Sequence, residues 1–126
     1  MLFRSMGHIN IGSQSYLSYV KLLRNSTDVY IADIGGTRVR PTGTFGGYAS
    51  STDVYNITPV PFVYLDSPGT TSSVTYKMQL KHYAAGNLAT VNRSYADRDD
   101  GTGAYDPRTV SSILVMEIAE IGRAHV

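Results

Sequence analysis

"SVTYKMQLK", Ser73 to Lys81, is the stretch that decides the fold class. Val74, Tyr76, Met78 and Leu80 fall on one side of an extended chain, and Thr75, Lys77, Gln79 and Lys81 on the other. Side chains alternate with period two along a strand, so this run predicts an antiparallel strand with one face buried and one in water. No stretch of the chain keeps a 3.6-residue apolar period over three turns. Ten Tyr, no Trp, twelve Gly and abundant Ser and Thr agree with β structure.

Downstream, "LATVNRS" (88–94) is expected to pair with this strand across the turn "YAAGN" (83–87). Upstream, "VPFVYLD", Val60 to Asp66, reads as a strand that ends at the turn "DSPGTTS". "DVYNIT" (53–58) reads as a short edge strand, because Pro59 and Pro61 lack the N–H that a central strand donates on both sides. "YLSYVKLLR", Tyr16 to Arg24, and "VYIAD", Val29 to Asp33, form a predicted hairpin across "NSTD". "GGTR" (35–38) is a turn and "RPTGTFGG" (40–47) a loop. "YADRDDGTGAYDPR" (95–108) is the longest loop. "VSSILVMEI", Val110 to Ile118, is apolar on both faces, which predicts burial on both faces. In a chain this small, one of those faces is expected to meet another subunit. Short strands at even spacing with Gly, Pro and Ser turns predict an all-β antiparallel sandwich or jelly roll.

The two ends read differently. Ile121 to Val126 back-translates as ATC-GGA-AGA-GCA-CAC-GTC, the common short-read sequencing adapter. Met1 to Ser5 reads as the reverse complement of the same oligonucleotide, with GTG as start codon. The expectation is a single domain at 6–120, part of a longer protein, between adapter-derived scars at 1–5 and 121–126, which the fold reading sets aside. The whole chain carries eleven Lys and Arg against ten Asp and Glu. Without Arg4 and Arg123, nine basic residues face ten acidic ones, a net charge of −1. The basic excess therefore lies in the ends, and no nucleic-acid partner is expected. The absence of Cys excludes disulfides, thiolate zinc sites and a Cys nucleophile. No apolar run has the length of a membrane-crossing helix, so no membrane insertion is expected.

The ordered segments "KLLRNSTDVYIADIGGTR", "FVYLDSPGTTSSVTYKMQL" and "VNRSYAD" followed by "RTVSSILVMEIAE" resemble virion structural proteins of tailed phages, especially marine ones, of the tail-fibre or tail-associated kind. The resemblance covers most of 15–119. It implies a jelly-roll-like sandwich similar to tumour-necrosis-factor-like or complement-head modules, closed by the last strand and assembled as a homotrimer. Ile113, Leu114, Val115, Met116, Glu117 and Ile118 are then the interface candidates. The implied role is non-enzymatic: a distal host-attachment domain of a tail or fibre, located on the virion, contacting other virion proteins and a host surface glycan or protein. The alternative is a capsid decoration or baseplate module with no receptor role.

Candidate sites are few. Tyr48, Tyr55, Tyr95 and Tyr105 stand in polar, loop-like surroundings and are the ligand-contact candidates, because Tyr offers a large rigid amphipathic surface. The competing reading is loop packing on the sandwich rim. Asp97, Asp99 and Asp100 in "DRDDG" are weak cation candidates. They lack the further ligands of a calcium loop, and a solvated turn balanced by Arg98 is the plainer reading. His8, His82 and His125 have no metal spacing. There is no nucleophile elbow and no phosphate loop, so neither an enzyme nor a cofactor is expected. The glycosylation-type triplets at Asn25, Asn56 and Asn92 read as polar turns. Glu117, in a strand expected to be buried, is expected to pair with an Arg such as Arg108 or Arg93 of the same or a neighbouring subunit, and the alternative is a frayed strand with Glu117 solvated.

Overall fold

The computed structural model describes residues 1–13, 17–46, 54–83, 87–99 and 105–119. They form eight strands: β1 (Leu2–Ser13), β2 (Leu17–Arg24), β3 (Thr27–Val29), β4 (Gly43–Gly46), β5 (Ile57–Asp66), β6 (Tyr76–His82), β7 (Ala89–Val91) and β8 (Ser112–Ile118). All pairings are antiparallel, in two sheets.

Each sheet is built around one central strand. β1 pairs along nearly its whole length with β5, and its other edge is shared by β8 against Leu2–His8 and β7 against Ile11–Ser13. β2 pairs with β6 on one edge, and its other edge is shared by β4 against Leu17–Val20 and β3 against Leu22–Arg24. The core lies between the sheets. Ile9, Ile11 and Val60 of the first pack with Val20 of the second, and Phe62 packs with Leu22 and Val29. Ile11, Val20 and Leu22 are fully buried. Each such side chain contributes about 1.5–3 kcal/mol relative to exposure. The sheets approach closely at Gly43, where a Cβ would stand 2.7 Å from Val60 Cγ1.

The alternation expected of Ser73–Lys81 holds. Tyr76, Met78 and Leu80 are half-buried, and Lys77, Gln79 and Lys81 are exposed. The hairpin of β2 with β3 forms too, turning at Asn25 in the left-handed region, although its second strand is Thr27–Val29 and not 29–33. Pro59 and Pro61 do lie in a strand, β5, at the edge of its sheet. Two residues apart, both lack an N–H on the same side, which an edge strand tolerates.

Four expectations change. The 40–47 loop contains β4, which pairs with β2. β7 pairs with the far end of β1 and not with β6. β8 is not buried on either face: Ile113, Leu114, Val115 and Met116 are 38–52% exposed, Glu117 is exposed and Ile118 half-buried. β8 is an edge strand joined to β1 alone, and the second sheet does not reach over it. Finally, Leu2–Ser5, set aside above, belong to β1, where all four pair with β8 and Phe3, Arg4 and Ser5 pair also with β5. Strand pairing uses backbone groups, so four non-proline residues extend a ladder whatever their origin.

Candidate functional site

The N-terminal end of β5 and the loop before β8 enclose a depression of about 500 Å³. Tyr55 and Tyr105 line it together with Asn10, Asn56, Pro107 and Thr109. Two of the four tyrosines expected to carry contact, fifty residues apart in sequence, therefore stand at one place. Tyr105 is 69% and Tyr55 40% exposed. Tyr95 is half-buried and does not line the depression. Tyr48 lies outside the described residues.

What holds the tyrosines is a polar cluster absent from the sequence reading. Asp106, next to Tyr105, is buried. Its Oδ1 accepts a hydrogen bond from Ser94 Oγ at 2.6 Å, and its Oδ2 one from Arg98 Nε at 2.9 Å. Ser94 is fully buried, and its Oγ also accepts from the Asp97 N–H at 3.0 Å. The Ser94 hydrogen bond, assisted by Arg98, holds the Asp106 carboxyl below the usual carboxylate range despite burial. The Arg98 guanidinium in turn sits 4.7 Å from the centroid of the Tyr55 ring. The Ala96 N–H donates to the Val54 carbonyl at 3.1 Å, tying the two loops together.

A second layer fixes the loop to the sheet. Asp97, with φ +43°, accepts from Arg93 Nη1 at 3.1 Å and from Arg108 Nε and Nη2 at 3.0 and 2.9 Å. This is a bidentate fork on one carboxylate. Ser111 Oγ donates to Asn92 Oδ1 and accepts from the Asn10 N–H. Gly12 admits the 90–94 segment against β1, since a Cβ there would lie 2.4 Å from the Arg93 carbonyl oxygen.

These pairings answer two further expectations. Arg93 and Arg108 both pair with Asp97, and Glu117 stands exposed beside Phe3 in the register, so neither arginine serves Glu117 within the chain. Of the cation candidates, Asp97 is occupied by two arginines, Asp99 is exposed and Asp100 lies outside the described residues. Among the described residues no three His, Asp, Glu or Cys side chains gather as a metal would need.

The arrangement offers two aromatic faces, two amide side chains and compensated charges. The Thr109 hydroxyl at the same depression is buried and has no hydrogen-bond partner among the described residues. Such a surface suits ring stacking and hydrogen bonding to hydroxyls. No helix among the described residues is long and apolar enough to cross a membrane. No protein-family model, curated protein or solved structure matches the chain.

Proposed function

We propose that this chain is a non-enzymatic attachment domain of a tailed-phage virion, a jelly-roll-like sandwich acting as a homotrimer, which binds a host surface glycan through Tyr55 and Tyr105. The observation that carries the reading is the convergence of these two exposed tyrosines on one depression, with Tyr55 braced by Arg98 and Asp106. A braced aromatic loses little entropy on binding, so its stacking energy goes into affinity. Asn10 and Asn56 provide both donors and acceptors for sugar hydroxyls. The phage assignment draws on the sequence resemblance.

The test is binding of the chain to envelope polysaccharides of marine bacteria, by calorimetry, with Tyr55→Ala and Tyr105→Ala beside the parent. Saturable binding lost in both variants supports the reading. Binding to virion proteins with none to cells or polysaccharides supports the rival, a capsid decoration or baseplate module. The exposed apolar β8 favours that rival, because such a strand fits a protein partner.

A further inference from the structure

A second cleft, of about 730 Å³, opens at the opposite end of β5, beside Leu65 and Asp66. β5 runs the ten residues from Ile57 to Asp66. At about 3.3 Å per residue, this cleft and the Tyr55 depression stand roughly 30 Å apart. Tyr30 and Tyr64 both line it and stack on each other, ring centroids 5.2 Å apart and planes at 16°. Tyr64 is anchored, since it packs on the Phe62, Leu22 and Val29 cluster. Tyr30 lies on top of it, 46% exposed, and so turns its second face to the cleft.

Tyr30 adopts φ +51°, a left-handed conformation that a bulky L residue takes only when its surroundings demand it. Such a backbone costs on the order of 1–3 kcal/mol and gathers at ligand sites. Here it delivers the ring onto Tyr64.

The polar groups around the stack carry matched charge. Arg24 Nη1 donates to Asp66 Oδ1 at 2.5 Å, and Tyr76 OH donates to Asp66 Oδ2 at 2.5 Å, so the buried Asp66 is satisfied. Lys21 Nζ donates to Asp28 Oδ2 at 2.6 Å. Two cations balance two carboxylates. Each carboxylate is thus already paired with a cation, and a neutral ligand finds directed groups: the other N–H groups of Arg24 and the second oxygen of Asp28. A planar donor fork and a carboxylate oxygen beside an aromatic face suit a ring that carries several hydroxyls and an apolar C–H face.

We infer that the Tyr30–Tyr64 cleft is a second binding site, for a neutral hexopyranose unit, with Tyr30 as the stacking platform and Arg24 and Asp28 as hydroxyl partners. The site goes beyond the Tyr55–Tyr105 reading and stands without it.

The experiment is titration of the full chain with glucose, galactose, mannose, maltose and lactose, followed in assigned amide nuclear magnetic resonance spectra. The expected result is saturable shifts at 27–31 and 64–67 with at least one of the five sugars. Tyr30→Gly removes the ring and suits the left-handed backbone, so the fold is kept. It should weaken that binding by about tenfold or more, a loss of about 1.4 kcal/mol. Asp28→Asn should weaken it several-fold, and Tyr30→Phe should retain it. Shifts confined to the Tyr55 depression overturn this site and leave the first reading intact. Shifts confined to the Tyr30 cleft support this site and leave the first reading to its own polysaccharide test. No shift at 27–31 with any of the five sugars, or shifts undiminished in Tyr30→Gly, also overturns the proposal.

Discussion

The Arg98 guanidinium lies 4.7 Å from the centroid of the Tyr55 ring while its Nε donates to the buried Asp106. One side chain thus links a buried carboxylate to an exposed aromatic. Arg98→Leu removes both links, and Arg98→Lys keeps the charge without the planar fork. Arg98→Leu is expected to weaken glycan binding about fivefold, the scale of a lost cation–π contact. Arg98→Lys should recover part of it. Calorimetry on the three proteins checks this, and equal affinities would remove Arg98 from the site.

Asp106 sets an acid limit on stability. Its carboxyl is held below the usual range in the folded chain by Ser94 and Arg98. A depressed folded value adds stability that is present above the unfolded carboxylate value and is lost as pH falls through the folded one. Urea midpoints should therefore decline below about pH 4. In Asp106→Asn the midpoint should be lower at neutral pH and its acid decline shallower. Parallel declines in the two proteins would contradict the assignment.

The opposite limit belongs to Tyr76. Burial, and then the hydrogen bond to Asp66, raise its phenol well above the ordinary value. A raised folded value leaves stability intact below the unfolded value and erodes it as pH rises beyond, because only the unfolded chain releases the proton. Stability should fall above about pH 10. Tyr76→Phe should flatten that fall, as read from thermal midpoints between neutral and alkaline pH.

Ser5 is fully buried on β1, and its hydroxyl has no hydrogen-bond partner among the described residues. Removing an unpaired buried hydroxyl relieves its desolvation cost. Ser5→Ala should stabilise the chain by about 1 kcal/mol, read as a higher urea midpoint. A loss would mean that the hydroxyl is paired in solution.

β8 presents Leu114 and Met116 on one face and Ile113 and Val115 on the other, all exposed, with no Pro or Lys to guard its free edge. Edge strands of this kind invite pairing. The expected molar mass in solution is that of a trimer, by light scattering after size exclusion. Leu114→Lys with Met116→Lys should give a monomer whose amide spectrum stays folded. A monomeric parent would leave the trimer without support.

Legibility followed the range of the interactions. Period-two alternation is local, so β6 and the β2–β3 hairpin could be read directly. Pro59 and Pro61 marked an edge because a missing N–H is a property of the residue itself. β4 carries no local signal, because "GTFG" has no apolar period. It exists because the segment pairs with β2 and Gly43 lets it lie against Val60, and those partners lie far away in sequence. For β7, nearness in sequence suggests a hairpin with β6, whereas the far end of β1 has the free edge that it joins.

The site divides in the same way. That exposed tyrosines in polar loops are contact candidates follows from their chemistry, and Tyr55 and Tyr105 were named on that ground. That they meet was decided by the chain path. Asp106 and Ser94 give no signal and Arg98 reads only as charge balance for the acidic turn, since each is an ordinary loop residue until burial leaves the carboxylate no partner but the other two. The sequence by itself determined an all-β chain and the wet and dry faces of β6, because backbone geometry ties that pattern to neighbouring residues. Tertiary structure alone decided which edges were left open and which side chains share a cleft, because those depend on contacts between residues that only the folded chain brings together.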